Sequence, residues 1–216
     1  MPLSLRMTID EISLGLWNLK EPEDELLDRL QLIPSEIADL NRLRGRRRLE
    51  WLGARSCLQA IESDPGRHVI LKDQHGKPHY QVSDKHISFS HSYPLIAASQ
   101  SDLRHGIDVQ RHVDKISRIR EKFCSVRELE YNDSSPESLH IIWGIKEAMY
   151  KAWGKREIDF IRHLYVEPFR YVSQGGKATA YLKKDDNNWQ FSIRYFALPD
   201  TYAVLASTRD GSDELG

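Results

Sequence analysis

SLHIIWGIKEAMYKAW, residues 138–153, decides the reading of the chain. Ile141, Ile145, Ala148, Met149 and Ala152 recur at helical spacing and make one apolar stripe. Trp143, Glu147 and Lys151 are four apart and share a different face. The spacing predicts a helix with one face for a core and another free for charge. Glu then Lys at i,i+4 has two readings. One is an ordinary surface ion pair, worth about 0.2–0.5 kcal/mol. The other is chemical: Glu147 holds a metal or takes a proton, and Lys151 neutralises phosphate charge.

Upstream, GIDVQ (106–110) reads as a strand. Side chains alternate faces along a strand, so Ile107 and Val109 point into a core while Asp108 and Gln110 share the other face. Two oxygen-bearing side chains there suit a hard cation such as magnesium, or simply a polar surface. HISFSH (86–91) alternates in the same way, with Ser88 and Ser90 on one face and His91 at the end. Leu95 to Ser99 is a further strand. Residues 67–72 and 77–83 are short strands around the turn Gln74-His75-Gly76-Lys77-Pro78.

Before these, residues 35–62 read as one long helix with Ser35 as a cap and Gly45 weakening its middle. Its arginines Arg44, Arg48 and Arg55 lie near one line at 100° per residue, beside Leu40, Trp51 and Leu58. Such arginines hold phosphate oxygens, or cover apolar surface with their stems. Residues 7–19 read as an edge strand with a turn, and 22–28 as an acidic turn. Downstream, 115–123 and 126–131 are short helices. Tyr165–Val172, Thr179–Leu182, Gln190–Phe196 and Tyr202–Ser207 alternate as strands. YPLIAASQSD (93–102) is echoed by DTYAVLASTRD (200–210), which raises the possibility of an internal duplication.

Composition narrows the classes. With a net charge of −1, any anion site must be local, and a nucleic-acid binder is disfavoured. Cys57 and Cys124 form no CxxC pair, so no zinc site or disulfide framework follows, and a reducing cytoplasmic setting fits. No apolar run approaches the roughly 18 residues of a membrane span, and Asp10 and Glu11 interrupt the N-terminal run that a signal peptide needs. A soluble protein is expected. There is no GxSxG elbow, no GxGxxG and no Walker A motif.

Taken in order, Ala54-Arg55, Gly76-Lys77-Pro78, Ser88-Phe89-Ser90-His91-Ser92, Gly106-Ile107-Asp108 and Trp143-x-x-Lys146-Glu147-Ala148-x-x-Lys151 resemble the 4′-phosphopantetheinyl transferase superfamily, in its larger, surfactin-synthetase-activating type. The resemblance covers roughly residues 40 to 156. It implies an α+β fold of two similar α/β halves packed as a pseudo-dimer, with the active site in the cleft between them. Residues 1–105 would contact coenzyme A phosphates, and 106–216 would carry magnesium and the catalytic residues. Asp108 and Glu147 match the metal-binding acids, and Gln110, where the family's GxDxE motif has Glu, would be a third, uncharged metal ligand through its amide oxygen, directly or through a water. Lys151 matches the lysine near the reacting phosphate, and with Glu147 would be catalytic. His91, Ser90 and Lys77 fall on coenzyme A-contacting positions, and Arg48 and Arg55 lie in the region that holds the 3′-phosphate. The implied reaction moves 4′-phosphopantetheine from coenzyme A to a serine of an apo acyl or peptidyl carrier protein, releasing 3′,5′-ADP. The implied protein is a cytoplasmic monomer that binds neither nucleic acid nor membrane. Gln110 and Arg156 depart from the family pattern, and Gln110 leaves room for a binding protein that has lost catalysis.

Overall fold

The computed structural model describes residues 3–62 and 68–208. The chain opens with a hairpin of β1 (Leu3–Ile9) and β2 (Ile12–Asn18), then three helices, α1 (Glu23–Leu30), α2 (Pro34–Asn41) and α3 (Arg46–Ile61). Four strands follow: β3 (Ile70–Lys72), β4 (Pro78–Tyr80), β5 (His86–Ser92) and β6 (Leu95–Ser101). A second run begins at β7 (His105–Arg111). It passes through α4 (Ile116–Ile119), a 3-10 turn at Arg120–Lys122, α5 (Val126–Tyr131) and the long α6 (Pro136–Trp153). It ends in β8 (Leu164–Val166), β9 (Gly176–Lys184), β10 (Asn187–Leu198) and β11 (Thr201–Thr208).

These strands make two antiparallel sheets, ordered β1-β2-β6-β5-β4-β3 and β7-β11-β10-β9-β8. Setting β1 aside, the two sheets have one connectivity. A first strand leads to a long helix, four strands return, and the last of them pairs with the first. The echoed segments fall on β6 and β11, which hold the same place in the two orders, although residues 209–210 of the echo lie outside the described residues.

Three apolar clusters hold this together. α3 covers the first sheet through Leu52, Cys57, Leu58 and Ile61, with Leu26, Leu40 and Ile96 in the same cluster. α6 covers the second sheet through Ile141, Ile145, Ala148, Met149 and Ala152, the predicted stripe. The third cluster draws on both sheets: Leu14, Leu16 and Ala97 from the first meet Ile107, Val109 and Leu205 from the second. Full burial of each large aliphatic side chain contributes about 1.5–3 kcal/mol.

A ladder of hydroxyls also joins the sheets. The β7 amides of Ile107, Val109 and Arg111 donate to the side-chain oxygens of Ser88, Ser90 and Ser92 on β5, each at 3.1 Å. Alternate residues of one strand thus satisfy alternate amides on the free edge of the other.

Several expectations need correction. Residues 35–62 are two helices, not one. The chain breaks at 42–45, where Gly45 takes φ 52, a left-handed value that glycine adopts without steric cost. The break lets Leu40 and Leu52 both reach the core. Ser35 lies inside α2, whose first turn is instead closed by the Glu36 carboxylate accepting from the Ile33 amide at 3.2 Å. Residues 22–28 are largely helical, because Leu26 and Leu30 make an i,i+4 buried pair. Residues 7–19 form most of the β1–β2 hairpin, not a single edge strand, with Asp10 and Glu11 at positive φ in its turn. The strand expected at 165–172 ends at Val166. Pro168 has no amide hydrogen to continue a ladder, and the Phe169 amide goes to the Asn132 side chain. The expected strand at 67–72 narrows to Ile70–Lys72, and residue 67 lies outside the described residues.

Candidate active site

Two glycines bring α6 onto β7. A Cβ on Gly106 would overlap the Ala148 carbonyl oxygen and stand 2.8 Å from the Ala152 nitrogen. One on Gly144 would stand 2.8 Å from the Gln110 amide nitrogen. With no Cβ at either place the helix lies against the strand. The side chains of His140, Glu147 and Lys151, on one stripe of α6 with Gly144, then face Asp108 and Gln110. α6 is started by Ser135, whose hydroxyl accepts from the Ser138 amide, and by Pro136 in its first turn. It stops at Gly154 with φ 74.

Ile107 and Val109 are buried in the cluster shared by the two sheets, and Asp108 and Gln110 face the other way, as the alternation predicts. The Lys151 ammonium spends its three donors on Ser90 Oγ at 2.8 Å, the Ile107 carbonyl at 2.9 Å and Asp108 Oδ1 at 2.8 Å. Ser90 Oγ in turn donates to Asp108 Oδ1 at 3.0 Å. Glu147 sits close by with no hydrogen-bond donor among the described residues. Burial pushes its carboxyl above the usual range, the Asp108 charge pushes it further, and Lys151 opposes both. Ser90, His91, Asp108, Gln110, Glu147 and Lys151 line a cavity of about 360 Å³.

Gln110 is held by a residue that the sequence reading passed over. His140 Nε2 lies 3.0 Å from the Val113 amide nitrogen and 3.3 Å from the Val113 carbonyl; with the nearer amide donating to it, the ring proton sits on Nδ1 and is donated to Gln110 Oε1 at 2.8 Å. The Gln110 amide nitrogen donates to the His140 carbonyl at 2.8 Å and faces Asp108 Oδ2 at 3.4 Å. Gln110 therefore meets Asp108 with its nitrogen, not its oxygen. His140 is buried, which lowers its basicity, and stacks on Tyr202 with ring centroids 4.9 Å apart. Its spacing with Glu147 and Lys151, at i, i+7 and i+11, was the available signal.

A second cavity of about 530 Å³ adjoins the first and shares Phe89, His91 and Lys151 with it. Arg47, Arg55, Lys72, Lys77 and Lys151 line it against one acid, Glu50, so it suits an anion. Arg55 is buried there, with its guanidinium 3.3 Å over the Trp51 ring and near Glu36. The Lys77 ammonium donates to the Ala152 carbonyl at 2.7 Å, at the C-terminal end of α6 where a cation is favoured. His91 is half exposed, with Nδ1 3.5 Å from Glu50.

The fold thus gathers Arg55, Lys77, Ser90, His91, Asp108, Gln110, Glu147 and Lys151 around two joined cavities. Arg48 is not among them. It points to Glu23, with Nε 3.0 Å from the carboxylate, and to the Leu40 carbonyl at 2.8 Å. Arg47, one residue earlier, lines the cavity instead. Lys146 lies outside the cavities too. It is fully buried and donates to Glu128 and to the carbonyls of Phe123 and Phe160, at 2.7–2.8 Å.

For a magnesium ion the donor set is two carboxylates. Burial and the neighbouring Asp108 charge raise the cost of ionising Glu147, which a cation would relieve. Magnesium is commonly held by one or two carboxylates plus substrate phosphates. Among the described residues no group of three or more His, Cys, Asp or Glu side chains is placed to hold a metal. No helix among them is long and apolar enough to cross a membrane.

A search among curated proteins returns no match. Residues 104–206, from the entry to β7 through most of β11, match the family model of the 4′-phosphopantetheinyl transferase superfamily, and so take in Asp108, Gln110, His140, Glu147 and Lys151. That match supports a 4′-phosphopantetheinyl transferase enzyme, in a superfamily whose work is the transfer of phosphopantetheine to carrier proteins.

Proposed function

We propose that this chain moves 4′-phosphopantetheine from coenzyme A to a serine hydroxyl of an apo carrier protein, with 3′,5′-ADP as the leaving group, in the manner of the surfactin-synthetase-activating type. The observation that carries this is the junction of the two cavities, where a basic, anion-suited space meets a pair of facing carboxylates. The common connectivity of the two sheets supports a pseudo-dimer of two halves, 1–105 and 106–216, with the cleft between them.

In this reading Arg47, Arg55, Lys77 and His91 hold the phosphates of coenzyme A, and Ser90 and Lys151 orient Asp108. Asp108 and Glu147 would hold the magnesium ion, which when bound neutralises pyrophosphate charge. Glu147, whose carboxyl is already pushed up, takes the proton of the attacking serine. Lys151, beside the reacting phosphate, gives up one of its hydrogen bonds to stabilise the charge that builds there. The carrier docks on the stretch 111–135, where Val126 is 74% and Tyr131 60% exposed and Arg127 lies by Tyr131. The chain works as a cytoplasmic monomer.

Gln110 favours a second reading, a coenzyme A-binding protein without transfer activity, because its oxygen is turned away from the acid pair. One experiment separates them. The chain is mixed with coenzyme A, magnesium and an apo carrier, and the carrier is weighed by mass spectrometry. A gain of one phosphopantetheine, lost with EDTA and with Glu147→Gln, is the expected result. No gain across acyl and peptidyl carriers, with coenzyme A still bound, would leave only the second reading.

A further inference from the structure

The orientation of Gln110 is set from outside the cleft. His140 Nε2 stands 3.0 Å from the Val113 amide nitrogen and 3.3 Å from the Val113 carbonyl; the amide is the shorter contact, and with it donating to Nε2 the donating nitrogen of the ring is Nδ1. That donor claims Gln110 Oε1 at 2.8 Å. The His140 carbonyl claims the Gln110 amide nitrogen, also at 2.8 Å, and a flipped amide would set oxygen against oxygen there. Both ends of the carboxamide are therefore read by the same residue, and only one orientation satisfies both. Gly144, one turn along α6, leaves the space in which the amide lies, since a Cβ there would stand 2.8 Å from its nitrogen. Tyr202 stacks on the His140 ring and keeps it in plane.

We propose that His140 is a positioning residue that holds Gln110 as a hydrogen-bond donor to Asp108. The cation site is then two carboxylates, Asp108 and Glu147, and phosphate oxygens of coenzyme A complete it in place of a third side chain. This rests on the coenzyme A reading above and adds an order of events to it. The cleft alone is a poor cation site, because Asp108 is already occupied by Lys151, Ser90 and Gln110. The cation binds well only once coenzyme A has brought its phosphates. Position 110 contributes no charge, so the phosphates must.

The test is calorimetric titration of the full chain with manganese(II) as probe, alone and with saturating coenzyme A, repeated for Gln110→Glu and His140→Asn. The wild-type chain is expected to bind manganese weakly alone and at least about tenfold more tightly with coenzyme A. Gln110→Glu adds a third carboxylate and is expected to tighten manganese binding without coenzyme A by about tenfold, which shrinks the gain on adding it. His140→Asn frees the amide and is expected to move manganese affinity in the same direction by a smaller factor. Coenzyme A binding measured without metal should be unchanged in His140→Asn, which alters no charge in the cleft, an outcome that general loosening of the cleft would not give. Tight manganese binding by the wild-type chain alone, unaltered in Gln110→Glu, would overturn the proposal while leaving the transfer reaction intact. Failure of coenzyme A to bind at all would remove the transfer reading. The manganese-only titrations of the wild type and Gln110→Glu would then still decide whether position 110 is a ligand. Should His140→Asn not fold, that pair decides it in the same way.

Discussion

Gly106→Ala tests the idea that close helix–strand approach builds the site. The added methyl would overlap the Ala148 carbonyl oxygen and lie 2.8 Å from the Ala152 nitrogen, where ordinary contact begins at 3.4 Å. Both neighbours are helix backbone, with no flexible side-chain end to swing aside. α6 must therefore back away from β7 by more than half an ångström at Ala152 and by more at Ala148. Forcing a methyl into such a contact costs about 3 kcal/mol or more. The same displacement stretches the 2.8 Å contact between Lys151 and Asp108 and carries Glu147 with it. A misplacement of about 1 Å can cost about a hundredfold in rate. Urea unfolding would measure the first loss, and the rate of carrier modification under conditions where the variant is fully folded would measure the second. A variant that matched the wild-type chain in both midpoint and rate would refute the close-approach account of the site.

Three further outcomes are expected. His105 is fully buried, its ring held by the Leu103 carbonyl and Ser99 hydroxyl at 2.9 Å, and burial brings its pKa from 6.5 down to about 4. The unfolded chain then binds the extra proton between those values, so stability is full above pH 6.5 and falls as pH drops towards 4. That makes about 2 kcal/mol between pH 7 and pH 5 by linkage. Urea midpoints of His105→Gln should show a flatter slope over that range, and an unchanged slope would remove His105 as the cause. Lys146→Met leaves the buried Glu128 carboxylate and two carbonyls without their cation, and should cost about 3–5 kcal/mol. The double variant with Glu128→Gln should recover part of this, and full additivity would deny the coupling. Arg55→Ala should raise the KM for coenzyme A by about tenfold, the weight of one charge-assisted contact, while Arg48→Ala leaves it within twofold. Equal effects would mean that the basic cavity does not hold the phosphates.

The strand around Asp108 and the helix around Glu147 were legible because each repeats at its own period, two and three to four residues; burial follows the repeat along the helix, while in the strand both faces are covered from His105 to Val109. The serine alternation of β5 was legible for the same reason. The placement of the arginines was not. Their common line assumed one continuous helix from residue 35, but Arg44 precedes α3, and the helix starts afresh after Gly45 at φ 52. With that phase lost, Arg47 reaches the cavity and Arg48 reaches Glu23, which no local spacing could tell apart. Gln110 could be placed on the correct face but not oriented. Which end of an amide meets which partner depends on a histidine 30 residues away. The short helix α1 was obscured by its charges, since only Leu26 and Leu30 mark its buried side.

The serine ladder between β5 and β7 resists shear as well as separation. Its three rungs all join residues 19 apart, so the two strands run the same way and no rung permits a slip by one residue without breaking all three. The middle rung is Ser90, which also touches Asp108 and Lys151. Any sliding of one sheet along the other is thus felt first at the acid that the chemistry depends on. The rungs also occupy amides along an edge of β7 that would otherwise be open to a foreign strand.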